Sequence, residues 1–142
     1  MKNKIYSFCA IAFLACMFLF STPSKCKAQT FIAKLETMMP VGCQDPSKWI
    51  TVTDGSTLTI IVVNGWGGQS AQGTINFASG DVTRTSLLKV DQYNNNTIIA
   101  SNGEYLPYAI EQAIVSLSTN PKMLAITIAN TMYTGTITSI IN

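Results

Sequence analysis

The chain has no histidine, and charged residues make up only 11% of it. Without imidazole there is no ready general base near neutral pH and no activator for a serine or cysteine nucleophile. Acid–base work would fall to carboxylates or lysine. The carboxylates are scattered: Asp54 and Asp81 sit beside glycine in turn-like stretches, and Glu36 alternates outward on a candidate strand. This pattern reads as a protein that is not an enzyme. Cysteine is scarce too. Of the four, Cys9, Cys16 and Cys26 fall within the first 28 residues, which leaves Cys43 alone. A single thiol makes no intramolecular bridge, so stability must come from a packed core. Cys43 reads as a small, partly buried apolar residue, with an intermolecular disulfide as the alternative.

The first 28 residues read as a secretory signal peptide that is cleaved. Lys2 and Lys4 supply the positive start, residues 5–20 are almost unbroken apolar, and Cys26-Lys27-Ala28 gives small residues at −3 and −1. The apolar run is shorter than the roughly 20 residues that span a bilayer, so no stable membrane span is expected. Cys26 follows Lys25, unlike a lipid-anchoring site. The sequence thus predicts a secreted protein, periplasmic or extracellular, with a single domain at residues 29–142. That domain holds Lys34, Lys48, Arg84, Lys89 and Lys122 against Asp45, Asp54, Asp81, Asp91, Glu36, Glu104 and Glu111. A net charge of −2 with scattered cations carries no electrostatic footprint for nucleic acid.

Short alternating or β-branched runs dominate after Gln29. Phe31, Ala33 and Leu35 alternate with Lys34 and Glu36; residues 38–47 read as a loop. Residues 49–53 and 57–63 flank Thr53-Asp54-Gly55-Ser56, whose Asp-Gly is the strongest hairpin signal in the chain. Residues 58–63 carry no charge and read as a central strand buried on both faces. Further strands are expected at residues 73–78, 85–90, 97–101, 123–129 and 135–141, with turns at Gly80-Asp81, Tyr93-Asn94-Asn95-Asn96 and Asn102-Gly103. Leu106, Ala109, Ile110, Ala113, Ile114 and Leu117 follow a helical stripe, so one short helix near residues 107–118 is expected, with a strand at residues 113–117 as the competing reading. About eight short strands at ten-residue spacing, rich in threonine, predict an all-β fold, a β-sandwich or jelly-roll-like domain.

Aromatics at the predicted strand ends are the candidate ligand-binding residues. Trp66 stands among Gly65, Gly67 and Gly68, Tyr93 beside three asparagines, and Tyr133 between the last strands, close to Asn130. Flat apolar faces flanked by amides suit sugar recognition, by stacking on C–H faces and hydrogen bonding to hydroxyls. The competing reading of Trp66 is a cap folded back on the core, and that of the asparagine tip is a permissive turn.

The order Thr57-Leu-Thr-Ile-Ile-Val-Val-Asn-Gly-Trp66, Thr97-Ile-Ile-Ala-Ser-Asn-Gly-Glu-Tyr105, Met123-Leu-Ala-Ile-Thr-Ile-Ala-Asn130 and Thr134-Gly-Thr-Ile-Thr-Ser-Ile-Ile141 resembles the small galactophilic lectins of bacteria. The resemblance implies a jelly-roll-like sandwich that binds galactose through a calcium ion. Asn130 survives, but Thr131 stands where the acidic ligand is expected and Met132-Tyr133-Thr134 replaces an amide pair. Calcium takes about six to eight oxygens, usually including carboxylate, so the expected ligands are missing and neither a metal nor another cofactor is expected. The functional expectation is a non-catalytic, lectin-like module for an extracellular glycan or cell-surface ligand. The alternative is a structural or adhesive subunit that forms homo-oligomers through exposed strand edges.

Overall fold

The computed structural model describes residues 27–142 apart from Trp66, Gly67, Asp81 and Tyr105. The expected export signal therefore lies outside the described residues, except for Lys27 and Ala28. Alternation of apolar and polar residues builds nine strands among the described residues: β1 (Lys27–Pro40), β2 (Ile50–Thr51), β3 (Thr57–Gly65), β4 (Gly68–Phe77), β5 (Val82–Tyr93), β6 (Thr97–Ser101), β7 (Gln112–Ser116), β8 (Met123–Ile128) and β9 (Thr131–Ile141). Among the described residues, helical structure is confined to one 3₁₀ turn, Pro46–Lys48, capped by the Asp45 carboxylate. No helix among the described residues is long and apolar enough to cross a membrane.

The all-β reading holds, but the strands do not divide into two sheets. From β3 to β9 each strand pairs antiparallel with the next, and β9 then pairs with β1 from Thr30↔Ile141 to Pro40↔Thr131. The result is an eight-stranded up-and-down barrel, with β2 a short addition beside the end of β1. Closure removes the second layer that a sandwich supplies. Leu58, Ile60 and Val62 point inward and are buried, whereas Thr59, Ile61 and Val63 lie half-buried on the outside. The expectation that residues 58–63 are covered on both faces is corrected accordingly.

A barrel of eight strands is just wide enough for its own side chains to fill. Here Phe31, Leu35, Leu58, Ile60, Ile75, Ile98, Leu124 and Ile126 interleave with Ala33, Ala71, Ala100 and Ala113. Two glycines mark the tightest places. A Cβ at Gly73 would meet Leu88 Cδ1 at 3.1 Å and Ile110 Cδ1 at 3.3 Å. At Gly135 it would run into the Lys34 carbonyl, with Leu35 Cα 3.1 Å away. Here β9 crosses β1 between two bulges, after Ile32 and after Leu35, which bend the long strand into the wall. Lys34, Glu36, Gln72 and Lys89 face outward, the reverse of a barrel whose outer face meets lipid.

Two local expectations are also corrected. Asp54-Gly55 does not make a hairpin. β2 and β3 both run antiparallel to the same edge of β1, and the turn is an excursion between them. The Val52 and Leu35 amides bridge its ends, donating to Glu36 O (2.8 Å) and Ser56 O (2.9 Å). Gly55 still supplies the left-handed φ (+87°) that made the signal strong. The segment near residues 107–118 is a loop followed by β7, not a helix. Alternation wins from Gln112 to Ser116, with Ala113 and Val115 buried. The apparent helical stripe arose because Ile110, in the loop, drops fully buried into the barrel as a plug.

Candidate functional site

The end of the barrel where β1 begins and β9 finishes is its upper end. Along β1, β3 and β4 the inward side of the pleat carries apolar residues until the last position, which is an amide: Gln29, Asn64 and Gln69. With Tyr93 at the end of β5 and Asn142 just past β9, these amides line an open cavity of about 680 Å³ whose apolar floor includes Val62. The Gln29 Nε2 donates to Asn142 Oδ1 (2.7 Å), and the Tyr93 hydroxyl donates to Gln29 Oε1 (3.2 Å). Tyr93 remains 46% exposed. Its β5–β6 link is held by Asn94, whose Oδ1 accepts from the Asn96 and Thr97 amides (2.9 and 2.7 Å). Among the described residues no carboxylate lines this mouth, and Lys27 stands at its lip. Neutral amides that both donate and accept, beside one aromatic ring, suit a neutral ligand rich in hydroxyls.

The lower end differs. The Asp54 Oδ1 accepts from the Ser56 amide (2.9 Å) and hydroxyl (2.5 Å), and the buried Ser56 Oγ accepts from the Ala78 amide (3.0 Å). The Ser56 hydroxyl and amide, aided by Ser79, pull the Asp54 pKa down to about 2. The Ile110 amide donates to the nearly buried Ser86 Oγ (2.8 Å). Phe77 and Tyr133 meet edge to face at 5.6 Å, and desolvation raises the Tyr133 pKa. These bonds tie loops to the wall.

Among the described residues, the predicted site residues Tyr93, Asn130 and Tyr133 are not brought together. Tyr93 stands in the upper mouth. Trp66 lies outside the described residues; its neighbours Gly65 and Gly68 pair at the upper end of the β3–β4 ladder. Asn130 occupies the β8–β9 turn at the lower end, with φ +62° following Ala129 at +46°, and its carbonyl accepts from the Val41 amide (2.9 Å). Tyr133 is within β9, half-buried against the core. Gln29, Asn64, Gln69 and Asn142 were missed, although the pleat signals three of them: each is a polar residue in phase with inward apolar neighbours. Comparison with known proteins finds no family model, curated relative or solved structure that matches this chain.

Proposed function

We propose that this is a secreted, non-catalytic binding module that takes an extracellular carbohydrate at the upper mouth of the barrel without a metal ion. The observation that carries the reading is the ring of amides around Tyr93. Its donors and acceptors engage one another or water when the mouth is free, and a sugar's hydroxyls could exchange with them at little cost. In this reading Tyr93 offers a stacking face and Gln29, Gln69 and Asn142 supply hydrogen bonds. Residues 1–28 act as the export signal, so Gln29 becomes the first residue of the mature chain at the lip of the site. The lectin resemblance points to the same ligand class, and the reading depends on the mouth rather than on the family's calcium ligands.

The test is binding of the chain 29–142 to immobilised glycans, with and without EDTA. Binding that is indifferent to EDTA and falls about fivefold in Tyr93→Ala, for a loss on the order of 1 kcal/mol, supports the reading. Binding that is unchanged in Tyr93→Ala, or no binding to any glycan, sinks it.

A further inference from the structure

The barrel wall has a gap. β4 pairs with β5 from Val82 to Lys89, but β6 reaches β5 only from Lys89 upward. Among the described residues no strand covers the other edge of β5 along residues 82–88. A strand edge left this way presents a row of backbone N–H and C=O groups about 23 Å long. The loop after β6, in its described residues 102–104 and 106–111, runs beside it without pairing as a strand. It is fastened at one end by the Asn102 amide donating to Glu111 O (2.8 Å) and at the other by Ile110 on Ser86. Between loop and edge is a cleft of about 540 Å³, whose lining includes Arg84, Leu87, Glu104, Leu106 and Tyr108. Leu87 is 80% exposed and Tyr108 66%, the two most exposed of the large apolar residues described, and Leu106 is 55% exposed. Leu87, Tyr108 and Leu106 thus gather at the longest stretch of barrel strand left unpaired on one side among the described residues.

We propose that this cleft takes an extended peptide segment of another protein, added as a strand antiparallel to β5. A strand is what an open edge binds, because only a second backbone supplies alternating donors and acceptors in register. A single peptide fits better than a second copy of the barrel, because loop 102–111 flanks the cleft and obstructs a whole sheet. Charge sets the order of side chains along the segment. Arg84 lies toward the Val82 end, with its guanidinium 5.4 Å from the centre of the Tyr108 ring, and Glu104 lines the cleft beside Leu87. An antiparallel segment meets Glu104 first and Arg84 last. Its complementary pattern is a basic residue, then an apolar one opposite Leu87, then an acidic one three positions later opposite Arg84. That spacing of three puts the apolar and acidic side chains on opposite faces, as Leu87 and Arg84 are on β5. This site is separate from the upper mouth and stands or falls without it.

The probe is a fluorescein-labelled heptapeptide, Lys-Val-Thr-Thr-Glu-Thr-Thr, titrated with the chain 29–142 and read by anisotropy. Saturable binding is expected, lost in a peptide N-methylated at alternate backbone nitrogens. Leu87→Asp and Arg84→Glu, both exposed and each checked by circular dichroism, should weaken it. For Arg84→Glu the loss should be about fivefold, and a peptide with Lys in place of Glu should recover it. Failure to bind, indifference to N-methylation, or no recovery by the charge-swapped peptide overturns the proposal. So does a dimer, seen by sedimentation, that Leu87→Asp dissociates, because the occupant is then a second copy.

Discussion

The two ends of this barrel are built from the same strands and do opposite work with their polar groups. At the lower end a chain of polar groups is committed to the fold: Asp54 to Ser56, Ser56 to Ala78, Ser86 to Ile110. At the upper end Gln29 bonds Asn142 and Tyr93 at the surface of an open cavity that Asn64 and Gln69 also line. A polar group that satisfies a buried backbone amide is costly to remove, because its partner is then orphaned, whereas a solvent-facing amide is free to exchange partners. Stability is therefore concentrated below, and the proposed binding site lies above.

Substitutions should separate the two. Gly135→Ala should have the largest effect, because its Cβ collides with rigid backbone of β1 rather than with a movable side chain. We expect a loss of several kcal/mol, comparable to the roughly 5–15 kcal/mol that holds a domain together. Urea unfolding checks it, and a midpoint near that of the parent would mean that β9 and β1 can separate at the bulge. Ile110→Ala removes the plug and should cost about 2–5 kcal/mol by the same measurement. If the loss is under about 1 kcal/mol, the loop is not part of the core.

The third test uses pH. Asp54 titrates near 2 in the folded protein against an ordinary value of 3.8, so its ionised form is favoured by folding. Its contribution is complete above about pH 4 and fades as the pH falls toward 2. Asp54→Ala should lower the melting temperature at pH 7, and the gap from the parent should narrow between about pH 4 and pH 2. A gap that stays constant over that interval would show that the carboxylate does not secure Ser56. The smallest effect on stability belongs to the upper end. Gln29→Ala breaks the link from Tyr93 to Asn142 at the surface, and unfolding should shift by no more than about 0.5 kcal/mol. Glycan affinity should fall instead, by about fivefold for one lost hydrogen bond. Equal losses of stability at both ends would erase the contrast.

The strands were legible because a half-buried wall imposes a period of two; β3, β6 and β8 lie within a residue or two of where alternation puts them. Closure was not. Whether the sheet splits or closes depends on Thr30 pairing with Ile141, a contact between opposite ends of the sequence that no local pattern encodes. Ile110 misled for a related reason: its burial comes from a gap beneath β5 that exists only once the wall is assembled. In the candidate site, Tyr93 was found as an aromatic at a strand tip. The amides beside it were passed over because Gln29, Asn64 and Gln69 end apolar runs, and each looks like an ordinary polar boundary until the strands share a mouth. Asn130 and Tyr133 are close in sequence to one another but fold to the far end, since β9 must climb the whole wall before it reaches that mouth.

The seam between β1 and β9 also fixes the order of folding. β1 can pair with β3 early, but its other edge waits for the last eleven-residue strand. Contacts so distant along the chain carry high contact order and slow the search for the native state. Until the C-terminal strand arrives, both seam edges are open backbone with Phe31 and Leu35 uncovered, which favours misassociation of chains that stall. For a chain threaded across a membrane from its N-terminus, the same delay is useful. If the chain is exported as proposed, its barrel cannot shut until β9 has crossed, and it stays loose until then.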